Sequence, residues 1–535
     1  MDEVSSFLFN LFPKILLWIF KTIFKIIIFT GFWISMILVF LIDQVLITWV
    51  FHINLNEKQY PNIYPTYETG LFILMAIPVI ICTGLNLYRI ISRNPNSILS
   101  ILLNIFLNKE KKYTDPTVPS QMLSSVPEGV IFGHKHKKYV CKSESVDGHI
   151  LVVGGAGSGK SSCIAIPSLI SWQQRIFAID IKGELSEKTG SQHPSKRIFN
   201  PLLSDSPGYN PYYLLKYSRN PAQDANEISF AIIAKPENLK ETFWVDGARN
   251  LLTGSMIHFF VNGYSFIETI QIIQSTPIQT LINEIYEGEN AIAKMYINQF
   301  IDMDIKTLSG IYSELSNHIM LFATDLDIRY CLSKNDNITP EDLEKGKDIF
   351  LNIPEDKIEQ WKPLLTLIIN QFLRHFERRP NEYATPILFL LDEFPRLGKV
   401  ETSITGLATL RSKKITMALF VQSLAQLDAI YGNDNRKVIA DNCQYKAILN
   451  ATDADTQEYF SRLVGTYDKN KKSQSANYEQ YTGMGKGTGT SRTSEERRII
   501  KPEEFATLKN IVLLSPFGFF RIQKTPYYET KEFKV

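Results

Sequence analysis

Cysteine is scarce in this sequence and never paired. Cys82, Cys141, Cys163, Cys331 and Cys443 are scattered without any metal-binding or redox spacing. That excludes a disulfide framework and a cysteine zinc site, and it suits a reducing cytoplasm. Net charge is almost absent as well: 57 Lys and Arg against 55 Asp and Glu leave +2. No global basic field marks a simple DNA-coating protein, although a local basic channel stays open. There is no internal repeat, and no Asn-Lys-x-Asp run of the kind that reads guanine. What remains is a globular composition, 44% hydrophobic and 21% charged, in a chain of 535 residues that is too long for one ordinary domain.

Long apolar runs are confined to the first ninety residues. Ile26 to Ile42 carries no charge and, after Asp43, the apolar character resumes to Phe51; Gly70 to Tyr88 is a second uncharged run of 19 residues. Each approaches the ~20 residues that cross a bilayer core. No small-residue cleavage site accompanies them, so a removed signal peptide is disfavoured. Lys14, Lys21 and Lys25 precede the first run, and Arg89, Arg93, Lys109, Lys111 and Lys112 follow the second. The positive-inside rule then puts both chain ends in the cytoplasm and a short loop outside. Asp43 sits at the headgroup boundary or pairs between subunits.

The soluble part contains one complete phosphate-binding signature. "HILVVGGAGSGKSS", His149 to Ser162, runs from a short β-branched strand through a glycine turn into a helix start. Gly154, Gly155, Ala156, Gly157, Ser158, Gly159, Lys160, Ser161 and Ser162 form the cradle. In such a loop, backbone amides hold phosphates, the lysine reaches the terminal ones and the serine hydroxyl, here Ser161, ligates Mg2+. "LLDEFPRLGK", Leu390 to Lys399, supplies the complement: an apolar strand from Pro386 to Leu391 ends in Asp392 and Glu393. Adjacent charges at a buried strand end need compensation. Asp392 is placed to hold Mg2+ and Glu393 to activate water, which argues for hydrolysis rather than a bare switch.

Further strand signals surround these motifs, at Arg175 to Asp180, Ile349 to Ile353, Ile415 to Val421, Lys446 to Leu449 and Ile511 to Leu514. Alternating with helical stretches, they imply a mostly parallel α/β sheet. The rhythm breaks between about Gln223 and Lys347, where apolar residues fall at helical spacing, as in "NLLTGSMIHFF". This stretch reads as an inserted all-α domain. Lys469 to Arg498 is polar, with seven basic and three acidic residues. It is read as a solvated loop, or as a pore loop touching phosphate backbones. "HKHKK", His134 to Lys138, reads as a solvated hairpin.

At this point the chain resembles the type IV secretion coupling proteins, the hexameric membrane ATPases of bacterial conjugation and effector export. The resemblance covers nearly the whole chain. It rests on "GGAGSGKSS", "IPSLISW", "IDIKGELSEKTG", the paired "IFNPL" and "GYNPY", "FWVDGARNLL", "LLDEFPRLGK" and "VQSLAQLDAIYG". It implies a RecA-like P-loop NTPase fold with an inserted all-α domain behind two transmembrane helices. The expected division is a membrane anchor at 1–92 with spans near 26–50 and 70–88, a cytoplasmic linker at 93–125, nucleotide-domain parts at 126–222 and 348–535, and the all-α domain at 223–347. By matching position, Gln422 is expected to sense the γ-phosphate and Arg411 to serve as an arginine finger, with Lys160 and Glu393 as their catalytic companions. Asp180 is expected to be structural. The family's longer members carry C-terminal recruiting extensions, which this chain does not show.

The implied function is an ATP- and Mg2+-dependent translocase of the inner or cytoplasmic membrane. It would pass relaxase-bound single-stranded DNA, or protein substrates, to a type IV secretion channel as a homohexamer. Two alternatives stand beside it: a double-stranded DNA translocase like FtsK or HerA, and a nucleotide-regulated substrate receptor without motor activity.

Overall fold

The computed structural model describes residues 113–235, 241–381, 385–478 and 485–533. The expected spans at 26–50 and 70–88, and Asp43, lie outside these residues. Among the described residues no helix is long and apolar enough to cross a membrane.

A small antiparallel sheet comes first, made of β1 (Leu123–Ser124), β2 (Val130–Lys135) and β3 (Lys138–Lys142) in the order β1-β3-β2. His136 and Lys137 turn β2 into β3 with φ of 49° and 63°, the left-handed pair of a tight hairpin. The "HKHKK" hairpin therefore exists but is not wholly solvated: His134 Nδ1 lies 2.5 Å from Thr525 Oγ1, and its ring is 4.1 Å from that of Tyr139. The structure also describes the end of the expected linker. Met122 is buried and Asp115 pairs with Arg521 at 3.1 Å, so 113–125 packs on the body.

The main sheet follows the apolar runs. It begins with β4 (Ile150–Val153), β5 (Arg175–Asp180), β6 (Lys196–Phe199), β7 (Asp348–Asn352), β8 (Ile387–Leu391), β9 (Ile415–Val421) and β10 (Tyr445–Ile448). A separate ribbon, β11 (Thr466–Tyr478) and β12 (Gly485–Arg498), precedes β13 (Ile511–Ser515) and β14 (Gly518–Ile522), which return to the main sheet. The nine strands run β14-β13-β10-β4-β9-β8-β5-β7-β6, parallel from β10 to β6 and antiparallel at β13 and β14. Both faces are covered, which explains strands apolar at every position rather than at alternate ones. Leu151, Val153, Phe177, Leu391 and Leu419 face one core with the helix Lys362–Glu377, while Ile150, Val152, Ala178, Leu390 and Phe420 face another with the helix Ile166–Ser171. β6 and β14 gave no clear signal, being short strands that carry charge or glycine at the sheet's two edges.

From Pro221 to Glu344 the described chain is helical and contributes no named strand. Side-chain caps mark several starts: Asn220 before Pro221, Ser265 with Glu268 in a reciprocal box, Asp304 and Asp325. The apolar stripes of these helices join the core of the sheet's first face through Leu251, Met256, Ile270 and Leu308.

The reading of Lys469 to Arg498 as a loop is corrected. It is an antiparallel ribbon, paired from Thr466↔Arg498 to Tyr478↔Gly485. Polar residues on both faces give no alternation of hydrophobicity, and that alternation is the usual strand signal.

Candidate active site

Parallel register brings the motif residues to one edge. Val153 pairs with Val421, and Leu391 pairs with Leu419. The next residues, Gly154, Gln422 and the Asp392–Glu393 pair, therefore emerge side by side at the carboxyl ends of β4, β9 and β8. Open parallel sheets bind ligands at this edge.

The loop after β4 is shaped by glycine where the backbone demands it. Gly157 and Gly159 hold φ of 71° and 96°, values that side chains disfavour. A Cβ on Gly154 would stand 2.4 Å from Ser158 Oγ, so the loop closes on itself too tightly for alanine. Gly154 N donates to Val421 O at 3.1 Å and Gly155 N to Asn450 Oδ1 at 2.7 Å. Ala156 and Gly157 are exposed at the tip, whereas Ser158 and Lys160 are buried and Ser161 and Ser162 half-buried.

Lys160 is 7% exposed; its Nζ donates to Gly154 O at 2.6 Å and stands 3.6 Å from Glu393 Oε1. Gln422 Nε2 donates to Glu393 Oε2 at 3.0 Å. Glu393 itself is left-handed at φ 47°, a conformation that costs a non-glycine residue about 1–3 kcal/mol and recurs at functional sites. Its amide donates to Asp392 Oδ1 at 3.0 Å. Burial first, and then the charge of Glu393, push the Asp392 carboxyl up to about 6, although Lys160 pulls it down.

Two features fit a nucleotide with a divalent cation. Ser158 Oγ is buried without a hydrogen-bond partner among the described residues, and buried hydroxyls ordinarily have one. Asp392 and Glu393 concentrate negative charge that the Lys160 ammonium by itself does not offset, and a divalent cation would complete that oxygen donor set.

Arg411 is not brought to this edge. It is exposed in the turn Leu410–Lys413 before β9, whereas Gln422 follows β9. Seven residues at ~3.3 Å each separate the two ends by about 23 Å. Asp180 caps the next helix instead of entering the site: its two oxygens accept from Leu185 N at 3.2 Å and Ser186 N at 2.8 Å. Two residues escaped the sequence reading. Asn450 buttresses Gly155, and Lys524 Nζ donates to Ser158 O at 3.1 Å. For Asn450 the only signal was a polar residue just after a strand; for Lys524 there was none.

The family model for "Type IV secretory system Conjugative DNA transfer" matches residues 106–535. The chain belongs to this family. The chain is similar to Protein VirD4 of Rhizobium radiobacter, 25% identical over 405 residues, covering 72% of this chain and 58% of that one. Protein VirD4 of Agrobacterium fabrum (strain C58) is 24% identical over 498 residues, covering 87% and 72%. The chain thus spans somewhat over half to nearly three quarters of these relatives. In fold it resembles plasmid coupling protein TrwB in complex with a non-hydrolysable ATP analogue, with a TM-score of 0.59, 15% identity, and 78% and 95% of the two chains covered.

Proposed function

We propose that this member of the conjugative DNA transfer family is an ATP hydrolase that couples transfer substrates to a type IV secretion channel. The observation that carries the reading is the contact series Gly154–Lys160–Glu393–Gln422 at the shared carboxyl edge of β4, β8 and β9. Lys160 presents a buried ammonium that the terminal phosphates of ATP would claim. Glu393, relieved of that ammonium, is free to orient and deprotonate water, and Gln422 follows its movement to the next helix. Ser161 and Asp392 would hold Mg2+, which would supply charge neutralisation on the phosphates.

Membership of the conjugative DNA transfer family supports DNA as cargo and a type IV secretion channel as partner; relaxase-bound DNA or secreted protein is the form of cargo that the sequence resemblance implies. The apolar runs near 26–50 and 70–88 support a membrane anchor with both termini in the cytoplasm, and the alternation of strand and helix signals supports nucleotide-domain parts at 126–222 and 348–535 around an all-α part at 223–347. Arg411, exposed at the far end of β9, suits a finger offered to a neighbouring subunit, which supports a ring-shaped homohexamer. The test is Lys160→Ala in the full chain. It should abolish ATP turnover and transfer while membrane insertion persists, and normal transfer by a stably expressed variant would defeat the motor reading.

A further inference from the structure

The β11–β12 ribbon is the largest element of the described chain that the nucleotide site does not explain. A two-stranded ribbon alone in water is marginal and ordinarily needs an apolar face against a body. This one has none. The paired stretches 469–478 and 485–494 hold twenty residues, of which only Ala476 and Tyr478 are hydrophobic. Five are basic, Lys469, Lys471, Lys472, Lys486 and Arg492, and none is acidic.

The acids gather at the root, where they meet basic or hydroxyl partners. Arg498 donates to Glu458 at 2.9 Å, Arg497 to Glu495 at 3.0 Å, and Thr466 to Glu496 at 2.5 Å. Along the paired stretches beyond the root the charge has one sign, Glu479 falling in the connecting segment between them. Gly485, Gly487 and Gly489 alternate along β12, opposite Tyr478, Asn477 and Ser475. Alternate glycines in a strand let another backbone approach closely. Ser, Thr, Asn and Gln fill the remaining positions, and these are neutral donors of the kind that contact phosphates.

We infer that the ribbon is a phosphodiester grip that holds the backbone of a nucleic-acid strand. The inference adds a ligand surface to the proposed transfer function. An anionic membrane suits the paired stretches less, because they offer only Ala476 and Tyr478 as hydrophobic residues to insert. The root also leads to the phosphate loop. The ribbon follows the helix Ala454–Val464, whose Thr456 Oγ1 accepts from Leu424 N at 3.0 Å, two residues past Gln422. Asn450, which accepts from Gly155 N, stands four residues before the start of that helix. A strand held on the ribbon can therefore bias both sides of the nucleotide site.

The test combines Lys471→Ser, Lys472→Ser, Lys486→Ser and Arg492→Ser in the full-length protein in detergent. Fluorescence anisotropy with a labelled oligothymidylate, and with a duplex of equal length, should show at least tenfold weaker binding at low salt. The dependence of log affinity on log salt should flatten by up to about 3 for the single strand. Replacing the three lysines by arginine should preserve binding. Basal ATP turnover should stay within about twofold of wild type while its stimulation by DNA is lost. Loss on both nucleic acids would mark a grip indifferent to strandedness, and loss on the oligothymidylate alone would mark a single-strand grip. Unchanged affinity and salt slope would overturn the inference. So would lost binding to phosphatidylglycerol vesicles with DNA binding intact. Because anisotropy does not require hydrolysis, an inactive ATPase would defeat the motor reading without touching this result.

Discussion

Glu393 shares its two carboxylate oxygens between Lys160, at 3.6 Å, and Gln422, which donates at 3.0 Å. One side chain thus ties the phosphate-loop lysine to the end of β9. Whatever draws the ammonium away leaves the glutamate oriented by the glutamine alone. The hydrolytic roles proposed above follow from this division.

Glu393→Gln should bind ATP within a few-fold of wild type yet lose at least ~10²-fold in turnover, the usual scale of a missing general base. Bound nucleotide should accumulate on the purified protein. Gln422→Ala should also slow turnover with little change in affinity, through loss of orientation. Near-normal steady-state rates in Glu393→Gln would remove that residue from the mechanism.

Arg411 cannot serve the phosphate loop of its own chain across the length of β9. As a finger in trans, Arg411→Ala should leave ATP binding intact and slow hydrolysis by about 10³ or more. Lysine should rescue poorly, because the planar fork is lost. Mixing Arg411→Ala with Lys160→Ala subunits creates interfaces that pair an intact loop with an intact arginine, and these should regain some turnover. Absence of recovery in mixtures shown to co-assemble would return Arg411 to a packing role.

Asn450 holds the amide of Gly155 at 2.7 Å. Asn450→Ala removes a hydrogen bond worth about 1 kcal/mol, so nucleotide affinity should fall roughly fivefold. Calorimetric titration with a non-hydrolysable ATP analogue would measure it. An unchanged affinity would mean that the loop keeps its shape without this contact.

His149, at the entrance to β4, makes stability depend on pH. Burial chiefly, helped by Lys142, lowers its imidazole from 6.5 to about 3, and its Nδ1 accepts from Met417 N at 3.0 Å. Between those values the unfolded chain binds a proton that the folded chain refuses. This contribution is therefore complete above about pH 6.5 and is lost as pH falls towards 3, by at most about 1.4 kcal/mol per unit. Urea unfolding at pH 7 and pH 5 should show a smaller difference for His149→Asn, which keeps an acceptor and cannot titrate. An equal difference in both proteins would exclude His149 as a source.

The sequence by itself determined whatever is local. The phosphate loop is contiguous, so its glycines, Lys160 and Ser161 could be read as a unit. The strands at the centre of the sheet are apolar at every position because both faces are buried, so their runs were legible. The segment between Pro221 and Glu344 announced its helices by apolar residues at helical spacing, as in "NLLTGSMIHFF".

Only the tertiary structure decided which distant residues meet. Gly155 and Asn450 lie 295 positions apart, and Ser158 and Lys524 lie 366 apart. Such pairs depend on strand order, which hydrophobic patterning does not encode. The structure also decided that Asp180 caps a helix and that Arg411 stands at the opposite end of β9 from Gln422. The ribbon stayed hidden for a related reason. Its strands carry almost no apolar residues, so their pairing leaves no period in the sequence, and only the backbone register joins Thr466 to Arg498.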